Sequence, residues 1–408
     1  MNIKLPRMLF GDELTKALSV YPPYSPEILK EGPAERLLAL SSIYDVFIPS
    51  AATAEIYTKL YLACHRALEK KGSVTEVRQY GENRRRMMQM ESHGIMGGSD
   101  SFSILAPSGY GKTTSISRAV SVISHNQILT LNKPTRRIIP VLSVECPHDC
   151  SLKALLYSIL RGVDAHLGSE YYTDAVRSRA TVDQLIGAVS SVAMANLGLV
   201  VLDETQNVLY HKNGAGLVHG ITEIINHSGI SIALVGTPDA AVFLEKAQQL
   251  ARRSLGLQYE RLVYDDYFHK LCTELLSYRY VREPIEVNEG IIEYLYGHSG
   301  GLVANVVFLV HDAQEIAILS RHEELDIESL RLAFKNRLAM LHGFIPDVSP
   351  RAVTMPKLTR SSLPKTPEQT NDIGKEDLIE SLAAEAKQSN MDIVAALREH
   401  FPVWELRL

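Results

Sequence analysis

Cysteine is scarce in this chain, and its few copies suit neither disulfides nor zinc. The 408 residues include Cys64, Cys146, Cys150 and Cys272, which are too few and too scattered for a disulfide framework. Cys146 and Cys150 stand close together, but a structural zinc site needs four ligands and no second pair follows at metal-binding spacing. The sequence therefore predicts neither a disulfide-stapled protein nor a zinc protein.

Long apolar runs and excess positive charge are missing as well. No run of about 18 apolar residues occurs, and Met1 to Pro6 lack the apolar core of a signal peptide, so we expect no membrane span, no export and a cytoplasmic location. The formal net charge is −5, so any contact with nucleic acid has to come from a local basic patch. With 46% hydrophobic residues, the chain can bury one large α/β core with appendages.

The segment at residues 106–113 predicts a nucleotide-binding P-loop. An apolar run at 102–105 leads into Ala106-Pro107-Ser108-Gly109-Tyr110-Gly111-Lys112-Thr113, and a helix-compatible segment follows. A strand, a glycine turn and a helix in this order direct backbone N–H groups and a helix N-terminus at phosphates. Ala106 replaces the glycine that usually opens the pattern, and the other elements are intact.

The residues of this loop have separate expected roles, with ATP and Mg²⁺ as the cofactors. Lys112 is expected to reach the β- and γ-phosphates, the Thr113 hydroxyl to ligate Mg²⁺, and Thr114 to lie near the α-phosphate. The cofactor-binding candidates in the loop are Ser108, Gly109, Tyr110, Gly111, Lys112, Thr113 and Thr114.

A second apolar run ends in two carboxylates. Residues 197–204 read Leu-Gly-Leu-Val-Val-Leu-Asp-Glu, which is typical of a central parallel strand that is buried on both faces. Ligands of such sheets bind at the carboxyl ends of the strands. We therefore expect Asp203 to bind the nucleotide through Mg²⁺, and Glu204 to orient and deprotonate the attacking water, as in a Walker B motif.

Two later features complete the expected catalytic set. The apolar run 230–235 ends in Gly236-Thr237-Pro238, which places the Thr237 hydroxyl at a strand end, within reach of the γ-phosphate or its water. Arg252 and Arg253 follow a helix-like stretch and suit transition-state stabilisation in a neighbouring subunit. A solvated basic helix end explains these two arginines equally well.

The densest basic cluster lies before the P-loop. Arg84, Arg85 and Arg86 follow Tyr80, and a basic cluster with a nearby aromatic residue suits a phosphate backbone. A solvated surface is the alternative explanation for the same residues. Arg84, Arg85 and Arg86 are therefore candidate DNA-binding residues.

Periodicity predicts an α/β fold class and four regions. Expected strands at 101–105, 138–144, 199–203 and 230–235 alternate with expected helices at 112–124, 151–167, 181–195, 217–227 and 239–250, with a fifth strand near 262–264. This order predicts a doubly wound core with a five-stranded parallel sheet. The regions are an irregular, proline-rich N-terminal arm at 1–50, the nucleotide-binding core with an N-terminal helix at 51–265, a helical lid at 266–344, and a linker with a C-terminal interaction tail at 345–408.

Taken together, these motifs resemble the AAA+ ATPases and specifically the TnsC/TniB group of transposition regulators, which is related in role to the Mu B protein. The resemblance covers roughly residues 45 to 340. Besides the P-loop, it is carried by Asp203-Glu204-Thr205-Gln206-Asn207, by Val235-Gly236-Thr237-Pro238 and by Ser299-Gly300-Gly301-Leu302-Val303-Ala304-Asn305. The Asp-Glu-x-Gln combination discriminates most, and arginine is absent at the lid positions 302–305.

The resemblance implies an ATP-loaded protein that forms a ring or a helical filament on duplex DNA. It also implies that this homo-oligomer links a target-selection protein of the TniQ or TnsD kind, or a guide-RNA complex, to the transposase subunits, and that ATP hydrolysis disassembles it. The expected DNA-tracking residues lie after the second core strand, where this chain offers Lys153 and Arg161. The residues of the tail itself, a stripe of Leu378, Leu382 and Ala386 followed by Trp404, predict a docking element for the transposase machinery. A tail helix that packs on its own core is the alternative.

Two other functions fit the same nucleotide site. An origin initiator or helicase loader shares these residues, although no winged-helix pattern with a basic recognition helix follows residue 345. A signalling NTPase whose arm and tail bind other proteins is the second alternative. It would show neither DNA-stimulated hydrolysis nor DNA-dependent assembly.

Overall fold

The computed structural model of the chain describes residues 5–71, 78, 82, 101–125, 128–132, 135–210, 214–241, 256–283 and 286–345. These residues belong to one compact unit, which spans Met1–Val353. Several predicted features lie outside the described residues: Arg84, Arg85, Arg86, Arg252, Arg253, most of the helix at 239–250, and the tail beyond residue 345 with Trp404.

A six-stranded sheet forms the centre of the nucleotide-binding core. Its strands are β1 (Phe102–Leu105), β2 (Leu129–Asn132), β3 (Thr135–Glu145), β4 (Leu197–Asp203), β5 (Ser231–Gly236) and β6 (Leu257–Gln258), and their spatial order is β2-β3-β4-β5-β1-β6. β2 pairs antiparallel with β3, and every other neighbouring pair is parallel. The predicted five-stranded parallel core is therefore confirmed, with an antiparallel edge strand added.

Helices flank the sheet and follow it along the chain. Those of the described residues are α1 (Gly11–Leu18), α2 (Pro33–Leu40), α3 (Ala51–Lys70), α4 (Lys112–Ser124), α5 (Leu152–Leu167), α6 (Tyr171–Arg177), α7 (Val182–Asn196), α8 (Gly214–Ser228), α9 (Asp266–Ser277), α10 (Glu289–Ser299), α11 (Val303–Leu319) and α12 (Ile327–Arg337). Ser50 caps α3, since its hydroxyl accepts from the N–H of Thr53. Within the described part of the chain, no helix is both long and apolar enough to cross a membrane.

Strand β4 is buried along its whole length, as the unbroken apolar run predicts. Leu199 and Val201 belong to a core cluster that also contains residues of α3 and α4. Val200 and Leu202 point to the other face and belong to the cluster that contains residues of α5, α7 and α8. The two faces hold β4 in place, and its carboxyl end therefore has a fixed position beside the P-loop.

The N-terminal segment is more regular than its prolines suggested. It forms α1, α2 and two 3-10 turns, at Pro26–Lys30 and Ser41–Asp45. Pro26 and Pro33 begin a helical segment instead of interrupting one, because the first position of a helix needs no N–H donor. Residues at the end of this segment pack with the helical lid: Leu40, Ile43 and Ile48 lie in the same core cluster as α9, α10 and α11.

The lid forms four helices, α9 to α12, which confirms the predicted helical region. The expected fifth strand near 262–264 is not a strand; β6 instead lies at Leu257–Gln258 and pairs with β1. Leu262 is buried in the core cluster of the lid, and this burial explains the apolar signal that we interpreted as a strand. Strand β2 and helix α6 were not predicted.

Candidate nucleotide site

The P-loop connects β1 to α4 with the geometry that phosphate binding requires. Gly109 and Gly111 have positive φ angles of 78° and 95°, which side chains disfavour, and α4 begins at Lys112 directly after them. Ala106 has no positive φ, and its N–H donates to the carbonyl oxygen of Gly236 (3.1 Å) as a continuation of the sheet. Alanine therefore fits at the opening position of the loop, where the usual pattern has glycine.

The side chain of Lys112 lies within the loop. Its Nζ donates to the carbonyl oxygens of Ala106 (2.8 Å) and Pro107 (3.0 Å). Burial lowers the pKa of Lys112, and the nearby carboxylates of Asp203 and Glu204 oppose this effect. The loop thus holds a buried ammonium group at the N-terminus of α4, where two sources of positive potential coincide.

Thr113 and Asp203 meet at the carboxyl edge of the sheet. The Thr113 hydroxyl donates to Asp203 Oδ2 (2.7 Å), while Asp203 Oδ1 accepts from the N–H of Glu204 (2.8 Å). A hydroxyl and a carboxylate oxygen that converge in this way are hard oxygen ligands of the kind Mg²⁺ takes, with water completing its octahedron. The residues present therefore fit the predicted metal.

Glu204 begins the turn that follows β4 and has a left-handed backbone. Its φ of 59° is unusual for a residue with a side chain, and such conformations concentrate at functional sites. The next residues form a 3-10 turn, Thr205–Tyr210, and the buried Thr205 hydroxyl donates to the carbonyl oxygen of Val235 (2.9 Å). The Glu204 carboxylate accepts a hydrogen bond from Gln206 Nε2 and lines the nucleotide cavity.

Thr237 lies next to this turn, at the end of β5. Its N–H donates to Gln206 Oε1 (3.2 Å), whereas its hydroxyl oxygen is buried and has no hydrogen-bond partner among the described residues. Burial of a hydroxyl without a partner is costly, so a site for a further polar group is indicated there. The structure thus brings the predicted Glu204 and Thr237 together through Gln206, a residue to which the sequence assigned no role.

A cavity of about 360 Å³ extends from the P-loop between the lid and the N-terminal segment. Its P-loop side includes the predicted Ser108, Tyr110 and Thr114; its other lining residues are largely apolar and include Tyr44, Ile48, Val303, Ala304, Val307 and Phe308. The lid and the loop are joined by a hydrogen bond from the N–H of Ala304 to the carbonyl oxygen of Gly109 (3.0 Å). The sequence named no residues for this end of the site; the lid run at 299–305, which it singled out, leads into this apolar wall.

The electrostatics of this cavity favour a neutral wall opposite the charged loop. Burial, with the carboxylates of Asp312 and Glu315, raises the pKa of Tyr44 to about 12, so its phenol stays protonated. Burial likewise raises the pKa of Tyr267, whose hydroxyl donates to the carbonyl oxygen of Ile48 (2.9 Å). The apolar end suits a flat ring, and the P-loop end suits phosphates.

Lys153 and Arg161 form a separate basic and aromatic patch on α5. Both side chains are exposed: the Lys153 ammonium lies 5.6 Å from the centre of the Tyr157 ring, and the Arg161 guanidinium lies 4.7 Å from that of Tyr172. Arg161 also donates to the Tyr172 hydroxyl (3.1 Å), and the two tyrosine rings contact each other edge to face at 5.5 Å. The two cations are eight positions apart, which corresponds to about 12 Å along a helix.

The turn after β4 is hydrogen-bonded to the loop that leads into α5. The N–H of Cys146 donates to the carbonyl oxygen of Asp203 (2.8 Å), Asn207 Nδ2 donates to that of Cys146 (3.1 Å), and the Cys150 thiol donates to that of Asn207 (3.1 Å). Burial raises the pKa of Cys146 to about 12, so its thiol stays protonated. These cysteines therefore have a structural role beside the nucleotide site.

Part of the chain, including the P-loop and β4, matches the model of a known protein family. Residues 76–261 match the model of a family described as bacterial TniB protein, whereas no curated protein matches the chain. Similar solved structures include the Aeropyrum pernix Orc1 protein in complex with DNA, with 16% identity and a TM-score of 0.41, over 65% of this chain and 64% of that one. Cdc6p from Pyrobaculum aerophilum has 12% identity and a TM-score of 0.41, over 65% of this chain and 67% of that one. A mutant of Thermotoga maritima RuvB has 11% identity and a TM-score of 0.34, over 64% of this chain and 68% of that one.

Proposed function

We propose that residues 76–261, which match the model of the bacterial TniB family, form an AAA+ ATPase region, and that the protein hydrolyses ATP and assembles on duplex DNA as a regulator of transposition. The observation that carries the proposal is that several groups converge at one sheet edge: the P-loop, the Thr113 and Asp203 pair, Glu204, and the Thr237 hydroxyl, which has no hydrogen-bond partner among the described residues. This set supplies phosphate binding, metal binding and a base, which are the groups that hydrolysis of ATP requires.

Each residue of the site has a separate task in this mechanism. Lys112 and the first turn of α4 bind the phosphate oxygens, and Thr113 and Asp203 are the residues that would hold Mg²⁺. The metal supplies positive charge that neutralises the phosphate oxygens. Glu204 orients the attacking water and accepts its proton.

Thr237 and a neighbouring subunit complete the site. The buried Thr237 hydroxyl, which donates to none of the described residues, can orient the water or a phosphate oxygen. Arg252 or Arg253 of a neighbouring copy supplies the positive charge that the lid lacks at 302–305, so the active site is complete only in the oligomer. ATP binding therefore stabilises the ring or filament, and hydrolysis weakens the interface and releases DNA.

The patch on α5 supports the DNA-binding part of the proposal. Lys153 and Arg161 are exposed cations beside aromatic rings, and this combination suits a phosphate backbone. The hydrogen bonds of Cys146, Cys150 and Asn207 connect the loop before α5 to the turn that carries Glu204. Arg84, Arg85 and Arg86 are further candidate contacts. Because each subunit neutralises few phosphates, the filament supplies the affinity through multivalency.

The test is assembly on duplex DNA with ATP, ADP and a slowly hydrolysed ATP analogue, followed by sedimentation and electron microscopy. We expect rings or filaments with ATP and the analogue, disassembly as ATP is consumed, and little sequence preference. Equal assembly in all three states, or none on DNA in any, would contradict the proposal and favour the signalling NTPase.

The transposition role needs a second measurement. We expect the ATP-bound assembly to bind a target-selection protein, of the TniQ or TnsD kind or in a guide-RNA complex, and to stimulate strand transfer by its transposase subunits. Assembly on DNA without such stimulation, combined with loading of a replicative helicase, would favour the initiator or helicase-loader function instead.

A further inference from the structure

Gln206 is the member of the Asp-Glu-x-Gln motif that the proposed mechanism leaves without a task. Its side chain makes two hydrogen bonds, and each goes to a residue of the catalytic set. Gln206 Nε2 donates to Glu204 Oε2, and Gln206 Oε1 accepts from the N–H of Thr237 (3.2 Å). One amide thus spans the gap between the end of β4 and the end of β5.

The two partners determine which way this amide points. A carboxylate can only accept and a backbone N–H can only donate, so the NH₂ group must face Glu204 and the oxygen must face Thr237. A flipped amide would set its oxygen against the Glu204 carboxylate and its NH₂ group against an N–H. Among the described residues, no donor contacts the other carboxylate oxygen, Glu204 Oε1, so one oxygen stays free to act as the base.

The surrounding backbone holds Gln206 close to β5. A Cβ atom at Gly236 would lie 2.6 Å from the Thr205 hydroxyl oxygen and 2.9 Å from Gln206 Oε1, so only glycine allows the turn to approach the strand this closely. Asn207, the next residue, is anchored to the carbonyl oxygen of Cys146. The Gln206 side chain therefore starts from a fixed backbone and has little freedom to leave its partners.

We propose that Gln206 is a positioning residue that locks Glu204 and Thr237 into one catalytic unit. The amide restrains one carboxylate oxygen of Glu204, so that the other faces the cavity, and it sets the position of the Thr237 backbone and therefore of its hydroxyl. A displacement of the end of β5 would therefore also displace the Glu204 carboxylate, because Gln206 is hydrogen-bonded to both. This inference rests on the proposed ATPase function and assigns a new residue to that site.

The central test compares Gln206→Met with the wild type. Methionine has a similar length but lacks both hydrogen-bonding groups, so Glu204 and Thr237 lose their link without loss of bulk. A general base contributes roughly 10²- to 10⁴-fold, and we expect kcat for ATP hydrolysis to fall at least about tenfold when its orientation is lost. The KM and the dissociation constant of a fluorescent ATP analogue should change less than about twofold, because Gln206 binds no part of the P-loop.

A second variant, Gln206→Glu, gives a readout that a purely structural role does not move. It keeps the shape of the side chain but replaces the amide donor with an oxygen that cannot donate to the Glu204 carboxylate. We expect kcat to fall at least about tenfold, as in Gln206→Met, while the KM and the dissociation constant of the fluorescent ATP analogue stay within about twofold of the wild type. This variant also keeps the test valid if methionine disturbs the turn.

Two controls separate this role from general damage and from failure of the proposed function. Gln184→Met makes the same chemical change at an exposed position of α7 and should leave kcat unchanged. Adding Gln206→Met to Glu204→Gln should cause a smaller loss than Gln206→Met causes in the wild type, because part of the effect of Gln206 acts through Glu204. Wild-type kcat in Gln206→Met or Gln206→Glu, or a loss in the double variant as large as that of Gln206→Met alone, would overturn this role alone. A wild type without ATPase activity, with or without DNA, would overturn the proposed function as well.

Discussion

Lys112 and Glu204 both line the nucleotide cavity, but the structure gives them different partners. Lys112 is bound by carbonyl oxygens of the P-loop, whereas Glu204 is bound by Gln206 at the end of the neighbouring strand. Charge anchoring and water activation therefore depend on different contacts. Substitution at the two positions should separate binding from hydrolysis.

We expect Lys112→Ala to abolish measurable ATP binding, because the buried ammonium group is the main cation of the loop. Glu204→Gln should bind ATP within about twofold of the wild type and hydrolyse it roughly 10²- to 10⁴-fold more slowly, because only the base is lost. Titration with a fluorescent ATP analogue and a phosphate-release assay measure the two effects.

Lys30→Ala is the matched control, since Lys30 pairs only with the exposed Glu27 among the described residues. It should leave both binding and hydrolysis unchanged. Equal hydrolysis by the wild type and Glu204→Gln would remove Glu204 from the role of base. Normal ATP affinity in Lys112→Ala would remove Lys112 from phosphate binding.

At the scale of elements, one buried ion pair joins α2 to the lid. The Arg36 side chain is fully buried, and its guanidinium donates to both carboxylate oxygens of Glu323 (2.6 Å each) and to the carbonyl oxygen of Tyr280 (2.8 Å). These hydrogen bonds hold the pKa of Glu323 below its ordinary value. Since the N-terminal segment supplies Tyr44 and Ile48 to the cavity, the pair also fixes one wall of the nucleotide site.

We expect Glu323→Gln to destabilise the protein by about 3 kcal/mol, because it leaves a buried guanidinium without a counter-charge. Arg36→Met should cost less, since it removes the buried charge and leaves Glu323 partly exposed to water. Glu328→Gln, which breaks only an exposed pair with Arg331, should change stability by less than about 1 kcal/mol. Urea unfolding measures all three; a larger loss in Arg36→Met than in Glu323→Gln would contradict this order.

The same pair predicts a pH dependence with a defined sign. The pKa of Glu323 is lower in the folded than in the unfolded protein, so its contribution is complete above the ordinary glutamate value of about 4.3 and is lost as the pH falls below it. Between pH 7 and pH 4, the gap in unfolding free energy between the wild type and Glu323→Gln should therefore begin to narrow. A gap that widened toward acid pH would show that the folded pKa is raised.

At the scale of the whole molecule, DNA binding should depend on salt through a small number of contacts. Lys153→Gln and Arg161→Gln should each weaken DNA binding by the ATP-bound protein at low salt. Each should also reduce the slope of log affinity against log salt concentration by roughly one unit. Fluorescence anisotropy at several salt concentrations gives both quantities for a non-specific duplex.

Arg331→Gln, which removes an exposed positive charge from the lid helix α12, is the control and should leave the slope unchanged. A slope that stays the same in Lys153→Gln and Arg161→Gln would exclude the α5 patch as the DNA contact. The candidate arginines at 84–86 would then become the next positions to test.

The sequence by itself determined the parts of this protein that depend on neighbouring residues. The P-loop, the carboxylates at the end of β4 and the threonine after β5 follow directly from short patterns, because a strand end, a glycine turn and a helix start are consecutive along the chain. The parallel core could be predicted for the same reason, since a fully buried strand is an unbroken apolar run. The secondary structure of short apolar runs such as 262–264 could not be predicted correctly. A loop segment that is buried under the lid has the same apolar residues as a buried strand.

Only the tertiary structure decided which distant residues meet. Arg36 and Glu323 are 287 residues apart along the chain, and neither position has a local signal that names the other. The apolar wall of the cavity combines Tyr44 with Val303, Val307 and Phe308, and the amide of Gln206 reaches Thr237 across two strand ends. The periodicity of apolar residues predicts which face of a helix or strand is buried, but the partner of that face depends on how the whole chain packs. The contacts of the lid and the proposed role of Gln206 could therefore be found only from the structure.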